Sequence, residues 1–209
     1  MKKKLLLSLL SLSCITFFNF PVNAEIQNTA NQLYEKANKE NKNKNYDAAI
    51  EDFSKAIKLK PTYTDAYNNR GIVYAKKGQY DKAIQDYTKA IQLDVNYTDS
   101  YYNRGLSYYY KKQYDKAIQD YTKAIQLNPN DLDVYYNRGV VFSKKGQYDK
   151  AIQDYNKAIK LDPNCLDAYY NRGFAYDKKG EESKAISDWK KSCSLGDTET
   201  CTWLKDNGY

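Results

Sequence analysis

The chain has 209 residues, a net charge of +7 and no histidine. Lacking histidine, it lacks the commonest general base and metal ligand. Three of its 33 basic residues and none of its acids fall within residues 1–24, which leaves +4 on the remainder, too mild and too interleaved with acids to indicate a nucleic-acid partner.

Residues 1–24 read as a secretory signal. Lys2, Lys3 and Lys4 precede an apolar run of 16 residues, Leu5 to Phe20, short for a spanning helix. Val22-Asn23-Ala24 supplies a small-residue cleavage pattern, so export with cleavage between Ala24 and Glu25 is expected, to the periplasm or the exterior. The competing readings are an uncleaved anchor and lipidation at Cys14, where Ser11-Leu12-Ser13 only partly fits a lipoprotein box. A short polar lead, 25–29, follows.

From there the chain repeats. Gly71, Gly105, Gly139 and Gly173 recur every 34 residues, each inside a near-copy of AYNNRGIVYAKKGQYDKAIQDYTKAIQLD, Ala66 to Asp94. A fixed period of this size means stacked supersecondary units. Within a unit, Tyr67, Gly71, Tyr74 and Ala75 share one helical face, and Tyr80, Ala83, Ile84, Tyr87, Ala90 and Ile91 share another. Lys76-Lys77-Gly78 between them is a helix stop. First helices are predicted near 30–43, 64–77, 98–111, 132–145 and 166–179, and second helices near 46–59, 80–93, 114–127, 148–161 and 182–194. Thr64 and Thr98 suit N-caps. Glycine inside a helix costs about 1 kcal/mol against alanine. Close approach of the two backbones, with Ala83 and Ala90 facing Gly71, would explain it.

The pattern Tyr67, Arg70-Gly71, Tyr74, Ala83, Tyr87, Ala90 and Val95 resembles the tetratricopeptide repeat. The resemblance covers five units, 30–63, 64–97, 98–131, 132–165 and 166–199. It implies an all-α, right-handed α-solenoid of five helix hairpins, closed by a C-terminal capping helix within 197–209. Val95 departs from the linker proline present at Pro61, Pro129 and Pro163. Lys112 departs from the turn glycine, and Leu33 and Ala37 from the usual tyrosine and glycine.

In the family the first helices line the concave face. The resemblance therefore puts Asn69, Asn103, Asn137 and Asn171 in a groove, with Tyr102, Tyr136 and Tyr170 bordering it one turn before Leu106, Val140 and Phe174. An amide both donates to and accepts from an extended backbone, and tyrosine offers apolar area with a polar tip. Satisfaction of neighbouring helix ends, for the asparagines, and packing between units, for the tyrosines, are the structural alternatives. Arg70, Arg104, Arg138 and Arg172 are expected along the helix interface, bonded to Asp86, Asp120, Asp154, Asp188 or neighbouring acids. Lys76-Lys77, Lys111-Lys112, Lys144-Lys145 and Lys178-Lys179, against Asp65, Asp99, Asp133 and Asp167, read as dipole matching or as a groove with one basic and one acidic edge. The lysine–asparagine clamp of chaperone-binding members is not reproduced.

Cys193 and Cys201 resemble the bridged pair of secreted Sel1-like repeats, and an oxidising compartment would favour that bridge. No Gly-rich phosphate loop or nucleophile elbow is present, and serine and cysteine lack a histidine partner. No catalytic residue, metal or cofactor is therefore expected. The reading is an exported scaffold that binds a protein or peptide in its groove, with no nucleic-acid partner and no membrane attachment once the signal is removed. The alternatives are an envelope assembly factor docked by its edges, or a basic-surface binder of anionic polymers.

Overall fold

The computed structural model describes residues 15–209, with side chains from residue 23 onward. Among the described residues every regular element is a helix, and there are eleven: α1 (Ile15–Lys42), α2 (Tyr46–Leu59), α3 (Thr64–Lys76), α4 (Tyr80–Leu93), α5 (Thr98–Tyr110), α6 (Tyr114–Leu127), α7 (Leu132–Lys144), α8 (Tyr148–Leu161), α9 (Leu166–Lys178), α10 (Glu182–Ser194) and α11 (Thr198–Asp206). From α2 to α10 the bounds follow the predicted ones to within a residue or two.

The beginning differs. Residues 1–14, including Cys14 and most of the expected signal, lie outside the described residues. The first helix starts at Ile15 rather than near 30, and it runs through 25–29, expected as a polar lead. No glycine or proline stands between Asn23 and Lys42 to interrupt it.

The chain divides into two compact units, one ending at Leu93 and the other starting at Asp94. Two units were not anticipated from the sequence, which contains no long linker. The division falls beside Val95, where the other junctions between hairpins carry Pro61, Pro129 and Pro163. In the first unit α1 pairs with α2 and α3 with α4, while α3 also packs on α2 and touches α1. In the second unit α5–α6, α7–α8 and α9–α10 pair as hairpins. Helices α7 and α9 pack on α6 and α8, α5 touches α7 and α7 touches α9, and α11 lies on α10. Each unit is thus a stack of helix hairpins in which every hairpin buries its apolar side on the next.

The core is small and aromatic. Ala83, Ala90, Ala117, Ala124, Ala151 and Ala158 are fully buried and let helices approach, while Tyr87, Tyr121 and Tyr155 fill the space between the paired helices. These rings, rather than facing alanines, explain the helical glycines. A Cβ on Gly71 would stand 2.7 Å from Tyr87 Cε1, and one on Gly139 would stand 2.7 Å from Tyr155 Cε1. The first hairpin has Ala37 instead of glycine and Phe53 instead of tyrosine, both fully buried in one cluster.

Thr64 and Thr98 are not caps. Tyr63 and Tyr97 hold the N-cap positions, with no side-chain cap bond, and each threonine is the first helical residue. Tight backbone turns close these junctions, as with Tyr63 N to Lys60 O at 3.0 Å. Side-chain caps occur at Asp131, on Val134 N, and at Asp197, on Thr200 N.

Candidate functional site

The arginine row was legible, and it is structural. Each arginine of a first helix grips an aspartate 16 residues on, on its own second helix, through two parallel bonds. Arg70 Nε and Nη2 donate to Asp86 Oδ2 and Oδ1 at 2.8 and 2.7 Å, and Arg104, Arg138 and Arg172 repeat the fork on Asp120, Asp154 and Asp188. Nη1 reaches back to the preceding hairpin: Arg70 to Ser54 Oγ at 2.8 Å and Arg138 to Thr122 Oγ1 at 3.0 Å. In the first hairpin Lys36 takes the arginine's place, 2.8 Å from Asp52. Burial pushes the Asp86, Asp120 and Asp154 carboxyls up, against the pull of the guanidiniums.

The lysines at the ends of first helices are likewise engaged. Lys77 pairs with Asp47, Lys145 with Asp115, and Lys179 with Asp149 at 2.7 Å, each tying a first helix to the start of the preceding second helix.

The asparagines and tyrosines form rungs. Asn69 Nδ2 donates to Tyr34 Oη at 3.0 Å and to Asn38 Oδ1 at 3.0 Å. Asn137 donates to Tyr102 Oη at 3.1 Å and Asn171 to Tyr136 Oη at 3.1 Å. Asn137 and Asn171 also bond the carbonyls of Asp133 and Asp167 one turn back. Each rung therefore joins successive first helices, and the amides are partly committed to the stack. Asn103 holds the same place on α5 and is half-buried. The rings of Tyr102 and Tyr136 lean on Tyr121 and Tyr155, with centroids 6.0 and 6.1 Å apart. Burial pushes the Tyr102 hydroxyl up and that of Tyr136 to about 12. Leu106 and Val140 remain half-buried on the same face.

The row opens at its end. Tyr170 continues the series but is 44% exposed. Helix α11 begins 32 residues after α9 rather than 34. In that register Trp203 stands where Asn171 stands on α9, an indole in place of an amide. Here lies a cavity of about 610 Å³ with Tyr170, Phe174, Trp189 and Trp203 in its wall. Asp167 and Asp177 of α9, and Asp197 and Glu199 at the start of α11, complete the lining with Leu166 and Thr200. The indoles of Trp189 and Trp203 meet edge to face at 4.9 Å, and Trp189 Nε1 donates to the Tyr170 carbonyl at 3.2 Å. Asp197 fixes α11 by accepting from Ser192 Oγ at 2.9 Å and Thr200 N at 3.0 Å. Burial would raise its carboxyl, but these bonds hold it below the usual range. Cys193 and Cys201 stand at disulfide distance, Cα atoms 4.9 Å apart, across the α10–α11 turn. The sequence reading missed this pocket. Its signal was there in the two tryptophans, the only ones in the chain, both within the divergent final segment.

Among the described residues no cluster of three or more metal-binding side chains occurs, and no helix is long and apolar enough to cross a membrane.

These features define a protein of stacked helical hairpins whose first helices present a tyrosine- and asparagine-rich face. Tetratricopeptide repeats are recognised along it: one model of that repeat matches residues 64–97 and 132–165, a second 37–78 and 105–146, and a third 154–187. A crystal structure of MamA protein is similar, with a TM-score of 0.75 and 29% identity over 80% of this chain and 91% of that one. So is the crystal structure of YrrB, described as a TPR protein with an unusual peptide-binding site, with a TM-score of 0.72 and 25% identity over 83% and 90%. MamA of Desulfovibrio magneticus RS-1 shares the fold at a TM-score of 0.76 and 22% identity, over 80% of this chain and 94% of that one. A comparison with curated proteins gives no significant match.

Proposed function

We propose that the chain is an exported scaffold that binds an extended peptide or partner protein on the first-helix face of its tetratricopeptide repeats. The observation that carries this reading is the rung series on α7 and α9 ending in an open aromatic pocket. The rungs hold the rings of Tyr102 and Tyr136 in place at low entropic cost, so the face is preorganised for a ligand. The YrrB likeness, a repeat protein with a peptide-binding site, supports the same use. Export is supported by the basic start, apolar run and Val22-Asn23-Ala24 of the first 24 residues, and by a cysteine pair poised to bridge. The reading is of binding, not catalysis.

Photo-crosslinking locates the working face. A crosslinking residue at position 106 or 140, on first helices, should trap the partner in the native envelope. The same residue at Gln119 or Gln153, exposed on second helices, should not. Crosslinks confined to positions 119 and 153 would mean docking by an edge and would overturn the groove reading.

A further inference from the structure

We infer that the pocket between α9 and α11 takes a basic side chain of the bound peptide, with arginine the best fit. This deepens the scaffold reading and rests on it.

Charge comes first. The chain as a whole is positive, yet the pocket is lined by four carboxylates and by no lysine or arginine. The aromatic wall comes second. Tyr170, Phe174 and Trp203 are 44, 38 and 44% exposed, a concentration of partly exposed aromatic rings at one place, with Tyr209 stacked on Trp203 at 6.1 Å. A cation within about 6 Å of such a face is attracted by the ring quadrupole. The molecule already makes this contact at the rim, where Lys178 Nζ lies 5.0 Å over the Phe174 ring and 3.1 Å from Asp177. A cavity of about 610 Å³ is larger than one side chain needs. It leaves room for flanking backbone, which suits a peptide better than a free ion. Arginine fits best because its flat guanidinium stacks on indole or phenol and still offers a fork to a carboxylate.

The same features account for the register shift at the end. A sixth hairpin in the 34-residue register would have set an asparagine against Tyr170 and closed the row. Helix α11 instead brings an indole and the carboxylate of Glu199.

The two tryptophans both line the pocket, so indole N–H resonances and selectively excited tryptophan fluorescence report on it. The probe is an uncharged glycine–serine hexapeptide with one central arginine, titrated into the full chain. Saturable shifts of both indole signals are expected. Citrulline in place of arginine, Asp167→Asn with Glu199→Gln, and Phe174→Ala should each weaken binding about tenfold or more, while Phe174→Tyr should not. Neutralising acids elsewhere, Glu51→Gln with Asp81→Asn, should change the affinity less than twofold. Equal binding of the citrulline peptide, or equal losses from the remote pair, would overturn the inference. So would free arginine amide binding as tightly as the peptide. Were the titration to fail while position 140 still captured a partner, the pocket assignment alone would fall. Loss of capture at positions 106 and 140 would remove the scaffold reading itself.

Discussion

Arg138 on α7 holds Asp154 on α8 through both ends of its fork, Nε to Oδ2 at 2.8 Å and Nη2 to Oδ1 at 2.7 Å, while Nη1 bonds Thr122 of the preceding hairpin. One side chain thus locks a hairpin internally and ties it to its neighbour. Asp154 is only 5% exposed, so removing its partner leaves a desolvated charge. Arg138→Leu should therefore destabilise the chain by about 3 kcal/mol. Adding Asp154→Leu should recover most of the loss, because a buried pair replaced whole by apolar groups is often neutral. Chemical denaturation of the two variants checks this. A stabilised single mutant would refute the locking role.

Gly139→Ala drives a methyl into the ring of Tyr155, and ring and backbone are both packed. A loss of about 1–3 kcal/mol is expected, although alanine is the better helix former. Thermal melts of the variant decide between overpacking and propensity, since the latter predicts a gain.

Lys112 lies at φ +58° in the turn where the equivalent Gly78 and Gly146 lie at +70° and +71°. A side chain with a Cβ is strained there, at about 1 kcal/mol. Lys112→Gly should stabilise the chain by roughly that amount, measured as a shift in denaturation midpoint at unchanged slope.

The tyrosines make stability alkali-sensitive. Burial raises the hydroxyls of Tyr87, Tyr121 and Tyr155, and raises Tyr136 to about 12 against 10.0 for the exposed group. Above pH 10 the unfolded chain gives up these protons while the folded chain keeps them. Their contribution is complete below pH 10 and is lost as pH rises toward 12. Phenolate absorbance should rise in step with loss of helical circular dichroism. Early titration of all tyrosines in a folded chain would contradict the burial.

The bridge from Cys193 to Cys201 closes a short loop and is expected to add about 2–3 kcal/mol. Reduction should loosen α11 first, seen as faster amide exchange at Cys201 to Leu204 with α7 and α8 unchanged. Two free thiols found at these positions in the denatured, unreduced chain would rule the bridge out.

The helix bounds were legible because a 34-residue period repeats the same face, stop and start, so errors average out. The partner atoms were not. The spacing of apolar places told that Gly71 faces α4 but not that the Tyr87 ring, about one turn from each of the expected alanine contacts Ala83 and Ala90, occupies the space. Thr64 and Thr98 were the best capping residues by type, yet the backbone turn through Tyr63 and Tyr97 had already used the junction. The asparagines were assigned to the first helices, but Tyr34, Tyr102 and Tyr136 sit 35 residues away from their bonding partners, a distance that only the stacking of neighbours reveals. The aromatic pocket depended on a two-residue change of register before α11, which no repeat pattern announces.

Helices α4 and α6 are the same fourteen residues, YDKAIQDYTKAIQL, and α8 differs from them at two positions. Because Arg138 and Arg172 each find an aspartate inside their own hairpin and a second partner one hairpin back, excising 132–165 would offer Arg172 the Thr122 hydroxyl in place of the Asn156 amide. The gene can therefore gain or shed whole modules by unequal recombination without inventing a new interface. A change in hairpin number made in this way would leave α9 to α11, and the cavity they enclose, as they are.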